Sequence, residues 1–414
     1  MKLLTFLLTA VLGIPPYGHA LEMLREDPDR AGVNLHVYEF HPEQDTPAPR
    51  GYKPVYLFHY GRHGSRNETS DRYYKRIQDI LEKAQQGGFL SEDGERLLDQ
   101  SRQMSKAYRN SPGRLTRRGE QEHRELARRI YKRYKPVFAK GRKVRAESSI
   151  VPRCIVSMGA FTGQLSKLQP GLEMTLDADD SVYSYISNSS SKEHTEAAHK
   201  IADSLIRLTD IDTVQIYRRL FTDPAKGKAL APDADRFQYW IWRNAKAAKA
   251  CDIDGSPYEF LTEGVIYKWW QESLISIYLR HCNSVEFGAQ RRERSVPLVR
   301  AMFDHAEDAL EQEDVAADLF FGHDYPLLSL ACWLRLEGVG ATLTQDEIVQ
   351  KWSDPTNIPL ASNMQMILYR SKKKDAPLLV KFVYNGRERA VEGLTPVSGP
   401  YYKWEDVQQL RPAE

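Results

Sequence analysis

Cysteine is scarce, with four in 414 residues. Cys154, Cys251, Cys282 and Cys332 lie far apart and none forms a CxxC pair, which argues against a structural zinc site. One or two disulfides remain open in an oxidising compartment, with Cys251 and Cys282 the favoured pair because they flank one helical stretch; buried free thiols are the equal alternative. An excess of one charge is also missing: 58 Lys and Arg stand against 56 Asp and Glu. The chain therefore lacks the electrostatic footprint of a nucleic-acid binder, and any selectivity for anions must be local. Long apolar runs are absent too. The longest, "LLTFLLTAVLGI" after Lys2, is shorter than the roughly 20 residues a membrane span requires. With a positive start and the small residues Gly18 and Ala20, it reads as a secretory signal over residues 1–20, so the protein is expected to be exported, periplasmic or extracellular, without a membrane anchor. Repeats and low-complexity tracts are absent.

What is present is an α/β rhythm. Apolar content is 41% and charged content 28%, ordinary for a globular chain long enough for one large or two average domains. Residues 54–60, "PVYLFHY", form a continuous apolar run, as a central parallel strand should. Helical periodicity follows over 71–86, 93–109 and 113–138, the last capped by Thr116 and ended by Pro136. "KVRAESS" (143–149) reads as a strand and Pro152 opens a further helix. Residues 318–321 read as a strand, with a turn at Gly322 and a helix from Pro326. Residues 363–391 read as an antiparallel hairpin with a second tight turn at Asn385–Gly386. Between 175 and 300 aromatic and helical patterns dominate. The expectation is an α/β fold: a mostly parallel central sheet flanked by helices (21–174 and 301–414), with an inserted, mainly helical cap over 175–300.

In such sheets ligands sit beyond the carboxyl ends of the strands. Three expected strand ends carry unusual residues: Arg62–His63–Gly64–Ser65–Arg66, Arg145, and His323–Asp324. Two guanidiniums beside one imidazole favour its neutral form and present rigid forks to phosphate oxygens. A neutral His63, with one ring nitrogen held by a backbone acceptor, has the other free to attack phosphorus. Arg145 would be a third positive group, His323 a hydrogen-bond donor to the phosphate, and Asp324 the proton source for the leaving oxygen. No metal and no cofactor is needed for this scheme. A metal phosphohydrolase would need acidic and His ligands at spacings the chain lacks.

On "RHGSR" (62–66), "LTRRGEQEH" (115–123), "VRAESSIVPRCIVSM" (144–158) and "GHDYPLLSL" (322–330), the chain resembles the histidine phosphatase superfamily, in the branch of acid phosphatases, phytases and multiple inositol polyphosphate phosphatases. The resemblance implies His63 as the nucleophile that becomes phosphohistidine, Arg62, Arg66, Arg145 and His323 as phosphate clamp, Asp324 as proton donor, and 175–300 as a variable cap that shapes the pocket. The family often has Gln at the position of Glu122. His-Ala-Glu, common at the proton-donor position of the inositol polyphosphate group, occurs here only at 305–307, inside an amphipathic helix pattern, and reads as a surface coincidence. The expected activity is hydrolysis of inositol polyphosphates, a small phosphorylated partner. The alternatives are a broad acid phosphatase on small monoesters, or a phosphate-binding protein that has lost catalysis. Arg109 and Arg114, from the basic stretch 102–145, are candidates for extra phosphate contacts at the pocket rim. Asn67-Glu68-Thr69 matches a glycosylation acceptor.

Overall fold

In a computed structural model the described residues are 18–42, 44–109, 111–179, 191–206, 212 and 214–413. Of the expected secretory signal (residues 1–20), 1–17 lie outside the described residues, while Gly18 and Ala20 belong to helix α1 (Gly18–Glu26). One sheet organises the chain. Its strands are β1 (Tyr52–Arg62), β2 (Lys143–Ser148), β3 (Glu173–Asp177), β4 (Val315–Gly322), β5 (Asn363–Ser371), β6 (Leu379–Tyr384), β7 (Arg387–Arg389) and β8 (Tyr402–Lys403). The order is β3-β2-β4-β1-β5-β6-β7, with β8 paired to β6. The four strands β3, β2, β4 and β1 are parallel, and β5 to β8 are antiparallel. The β6–β7 connection uses Asn385 and Gly386 at φ +48° and +77°, the left-handed pair a two-residue hairpin requires.

Both faces of the sheet are covered. One face buries Leu57, Val144, Leu319 and Phe321 under α4 (Arg117–Arg133) and α5 (Pro152–Leu168). The other buries Tyr56, Phe58, Tyr60 and Phe320 with the larger helical set: α2 (Arg72–Gln86), α3 (Glu92–Tyr108), α6 (Lys192–Ile206), α7 (Gln215–Leu220), α8 (Pro224–Leu230), α9 (Ala234–Ala248), α10 (Glu263–His281), α11 (Gly288–Gln312) and α12 (Asp324–Trp333). Six of these helices, α6 to α11, follow β3 and precede β4, where the sequence predicts a helical insertion. The expected boundaries cut elements: 175 falls inside β3 and 300 inside α11. β3 escapes the apolar-run criterion because it is an edge strand with most of its side chains exposed. No helix among the described residues is long and apolar enough to cross a membrane.

The register corrects one expectation outright. Arg145 pairs across the sheet with Asp318, and Asp318 with Phe58. That is five residues short of His63, about 16 Å at the rise of a β-strand. Its guanidinium is committed there. Nε and Nη2 donate to the two oxygens of Asp318 at 2.6 and 2.8 Å, and Nη1 pairs with Asp308 on α11. Asp318 is fully buried and also accepts from Tyr56 Oη (2.8 Å) and His305 Nδ1 (3.0 Å). Arg145 thus locks α11 to the sheet instead of reaching a phosphate. His305, read as a surface residue, is one of the bonds in this lock. Arg145→Met leaves the buried Asp318 carboxylate without the one guanidinium that pairs with it among the described residues, so a loss of about 3 kcal/mol in urea unfolding is expected.

Candidate active site

The parallel strands deliver their last residues to one edge. Arg62 is opposite Gly322 and Ser148 opposite Phe321, so His63, His323 and Ser149 emerge side by side. The rings of His63 and His323 are 5.7 Å apart, edge to face. Arg62, His63, His323 and Asp324 are all buried.

His63 Nδ1 lies 2.9 Å from the Gly64 carbonyl. A carbonyl only accepts, so Nδ1 carries the proton and Nε2 keeps its lone pair. Burial first, then Arg62, Arg153, His323 and Arg66, hold the imidazole well below its ordinary value; the ring is neutral. His323 is likewise lowered to about 4, by burial and then Arg153, with Arg62 and Arg66 adding to it against Asp324. Its Nε2 is 3.2 Å from Ser149 Oγ and its Nδ1 3.5 Å from Arg153 Nη2. Neither ring nitrogen of His323 is therefore unbonded, so its expected role as a phosphate donor requires a change of partner.

Three guanidiniums surround the imidazole, and the third is Arg153, in the first turn of α5, in place of Arg145. Arg62 Nη1 donates to the Ile358 and Pro359 carbonyls at 3.2 and 2.9 Å, and its Nη2 pairs with Asp324 Oδ2 at 2.9 Å. Arg66 Nη1 donates to the Asn67 carbonyl at 2.8 Å. The Nε–H groups of Arg62, Arg66 and Arg153 are buried and have no hydrogen-bond partner. Buried charged donors left unpaired are costly, and these three belong to guanidiniums whose charges all act on the His63 imidazole, a set that suits an anion. Sequence reasoning missed Arg153; the signal was available in Pro152, which places the next residue in the first turn of a helix beginning just past β2.

Asp324 opens α12. Its Oδ2 accepts from Arg62 and from Asn34 Nδ2 at 3.0 Å. Asn34, also missed, comes from a 3-10 helix over Pro28–Leu35. Burial pushes the carboxyl up, but Arg62, the Asn34 bond, His323 and Arg66 together bring it below its ordinary value.

The loop Gly64–Arg66 rests on α4. A Cβ on Gly64 would lie 2.5 Å from the Gly119 carbonyl oxygen, so it is this backbone-on-backbone contact that demands glycine there. Ser65 is held at every polar atom: its carbonyl accepts from Thr116 N (2.8 Å) and Thr116 Oγ1 (3.0 Å). Its N–H and hydroxyl donate to the two oxygens of Glu122, each at 2.7 Å. Asn67 is buried, its Nδ2 facing the Ala107 and Ser111 carbonyls at 3.3 and 3.4 Å and its Oδ1 accepting from the Cys251 thiol at 3.5 Å. The acceptor sequence there is out of reach of a glycosyltransferase in the folded chain. All four cysteines are free, and Cys282 lies against Cys332, so the Cys251–Cys282 pairing does not occur.

Beside Arg153 opens a cleft of about 960 Å³. Lys106, Arg109, Arg114 and Arg117 line it with Arg153, opposed by Glu120, Asp252 and Asp254. The first four cations are exposed and make no ion pair among the described residues. Both rim arginines singled out from the sequence are thus present. No cluster of three or more His, Cys, Asp or Glu among the described residues is arranged to hold a metal ion.

The mixed sheet, covered by helices on both faces and with a helical layer between β3 and β4, has counterparts among solved structures. Among solved structures the chain is similar to the multiple inositol polyphosphate phosphatase of Bifidobacterium longum, crystallised with inositol hexasulfate. The TM-score is 0.73 at 17% identity, over 93% of this chain and 98% of that one. The phytase of D. castellii aligns with a TM-score of 0.62 at 13% identity, over 92% and 85% of the two chains. The tartrate complex of the Hafnia alvei phytase gives 0.54 at 13% identity, over 88% and 97%. No family model matches the sequence, and no curated protein matches it either. At these identities the likeness establishes the fold.

Proposed function

We propose that this chain is an exported phosphomonoesterase that hydrolyses inositol polyphosphates through a phosphohistidine on His63. The observation that carries the proposal is the set of three buried, unpartnered Nε–H donors of Arg62, Arg66 and Arg153 around a neutral imidazole whose Nε2 is free. The Nε2 lone pair attacks phosphorus as the ester P–O bond breaks. The departing oxygen keeps the bonding pair and takes a proton from Asp324. The guanidiniums neutralise the charge on the equatorial oxygens, the largest demand of phosphoryl transfer. Water then attacks the phosphohistidine, the P–N bond breaks, the water proton passes to the Asp324 carboxylate, and orthophosphate leaves.

The cleft supports a polyphosphorylated substrate over a small monoester. Its exposed cations, Lys106, Arg109, Arg114 and Arg117, line the same cleft as Arg153, and they suit the other phosphates of an inositol ring. Orthophosphate release from inositol hexakisphosphate and from p-nitrophenyl phosphate separates the two readings. The expected result is a higher kcat/KM on the first. Arg109→Glu together with Arg114→Glu is expected to raise KM for the hexakisphosphate about tenfold, since reversing two exposed charges costs on the order of 1–2 kcal/mol, and to leave p-nitrophenyl phosphate unchanged. Equal changes on both substrates would return the assignment to a broad acid phosphatase.

A further inference from the structure

Glu122 has no part in the scheme above, yet its surroundings are unusual. It is buried, 4% exposed, on the inner face of α4. Each of its oxygens receives a short hydrogen bond from the same residue, Ser65, at 2.7 Å. A buried carboxylate in this position is expensive compared with the isosteric amide.

The peptide it binds explains the expense. The Ser65 N–H belongs to the same peptide unit as the Gly64 carbonyl, and no cis peptide occurs in the described chain. In a trans unit the N–H and C=O point in opposite directions. On one side the N–H donates to Glu122 Oε2; on the other the carbonyl receives His63 Nδ1–H at 2.9 Å. We propose that Glu122, the Gly64–Ser65 peptide and His63 form a relay in which the carboxylate acts through one peptide bond to make the imidazole a stronger nucleophile. Negative charge at the N–H end polarises the amide and increases the electron density on its carbonyl oxygen, so the Nδ1–H bond tightens and Nε2 becomes more electron-rich. The second Glu122 oxygen, on the Ser65 hydroxyl, fixes the carboxylate in line. Glu122 is a positioning residue: it touches neither the phosphate nor the attacking atom. The kinetic part of this inference rests on the phosphatase reading; the relay itself does not.

Beside Glu122, Arg124, Glu125 and Arg128 of α4 line the same small pocket. α4 also contributes Arg118; the segment after the 3-10 helix contributes the Tyr38 backbone N–H; the loop it holds carries Arg62, His63 and Arg66. Burial lifts the carboxyl to about 7, against the two Ser65 bonds, Arg118 and Tyr38. His63 lies well below 6.5 and His123 near 3. Lys246, lowered to about 7 by burial and then Arg243, sits on α9 near Glu68, away from Ser65.

The test is Glu122→Gln compared with wild type at pH 8, where the wild-type carboxyl is ionised; both proteins are then on the descending limb set by Asp324, so the ratio of their turnover is what is read. Glutamine keeps the shape: Oε1 accepts from the Ser65 N–H and Nε2 donates to its hydroxyl. The expected result is kcat lower by about tenfold, the difference between a charged and a neutral acceptor, with KM unchanged. The His63 Nδ1–H proton resonance should move upfield. Wild-type kcat with an unmoved resonance would reduce Glu122 to a structural anchor and overturn the relay. Should the variant fail to fold, titration of the wild type from pH 5 to 9 serves instead. The Ser65 amide and His63 Nδ1–H resonances should shift together with one midpoint. Movement of His63 without Ser65 would implicate Lys246 and equally overturn the proposal. Both resonance readouts are independent of any substrate, so they stand or fall separately from the assigned activity.

Discussion

Alanine at position 63 is expected to lower turnover by at least about 10³-fold, because it removes the nucleophile and leaves only the electrostatics of the site. The fold should tolerate the change. Among the described residues the His63 side chain hydrogen-bonds only to the neighbouring Gly64 carbonyl, its backbone bonds to Gly322 and Ala361 survive the substitution, and the loop around it is anchored independently through Ser65 and Thr116. Inorganic phosphate should still bind, since Arg62, Arg66 and Arg153 remain. Rapid quenching with labelled inositol hexakisphosphate is the decisive measurement. Wild type should accumulate an acid-labile phosphoenzyme and His63→Ala none. A labelled protein in the alanine variant, with wild-type turnover, would remove His63 from the reaction.

The second large effect belongs to Asp324→Asn. The amide cannot deliver a proton, so phosphorylation by an alkyl ester such as an inositol phosphate should slow by about 10²–10⁴. p-Nitrophenyl phosphate, whose leaving group needs little protonation, should lose far less. The pH profile carries the sign. In the free protein Asp324 lies below its ordinary value: burial raises it, but Arg62, Asn34, His323 and Arg66 outweigh that. A general acid must be protonated, so kcat/KM should fall as pH rises from the acid range. A bound phosphate draws Arg62 away from Asp324 and adds negative charge beside it, and both effects raise the carboxyl. The descending limb of kcat should therefore lie at higher pH than that of kcat/KM, and both limbs should vanish in the asparagine variant. Coincident limbs in wild type would show that Arg62 does not change partners on binding.

The parts of the site legible in the sequence are those that follow from strand chemistry. β1 is readable because a strand buried on both faces is a continuous apolar run, and the abrupt change to Arg62–His63–Gly64 marks its end. His323 follows for the same reason after β4, buried at every position. Arg145 misled because it is a charged residue in a short strand. Nothing local distinguishes a terminal arginine from one three residues earlier, and only the partner Asp318, far along the chain, decides it. Arg153 and Asn34 were missed for a related reason. Their elements, a helix first turn and a short 3-10 segment, carry no periodicity that would point a side chain toward His63. Glu122 was visible as a departure from glutamine, but its meaning depends on which peptide its oxygens reach, which only the packing of α4 on the loop reveals.

His63 and His323 leave neighbouring strands, while the long helical excursion departs after β3 and returns before β4. The two strand ends that carry the imidazoles and the helices of the excursion are consequently written in separate stretches of the gene. Insertions, deletions and drift among the excursion's helices can accumulate while the spacing of the two imidazoles stays pinned by the ladder between β1 and β4. Such an architecture lets the outer helices diverge while the paired histidines keep their places.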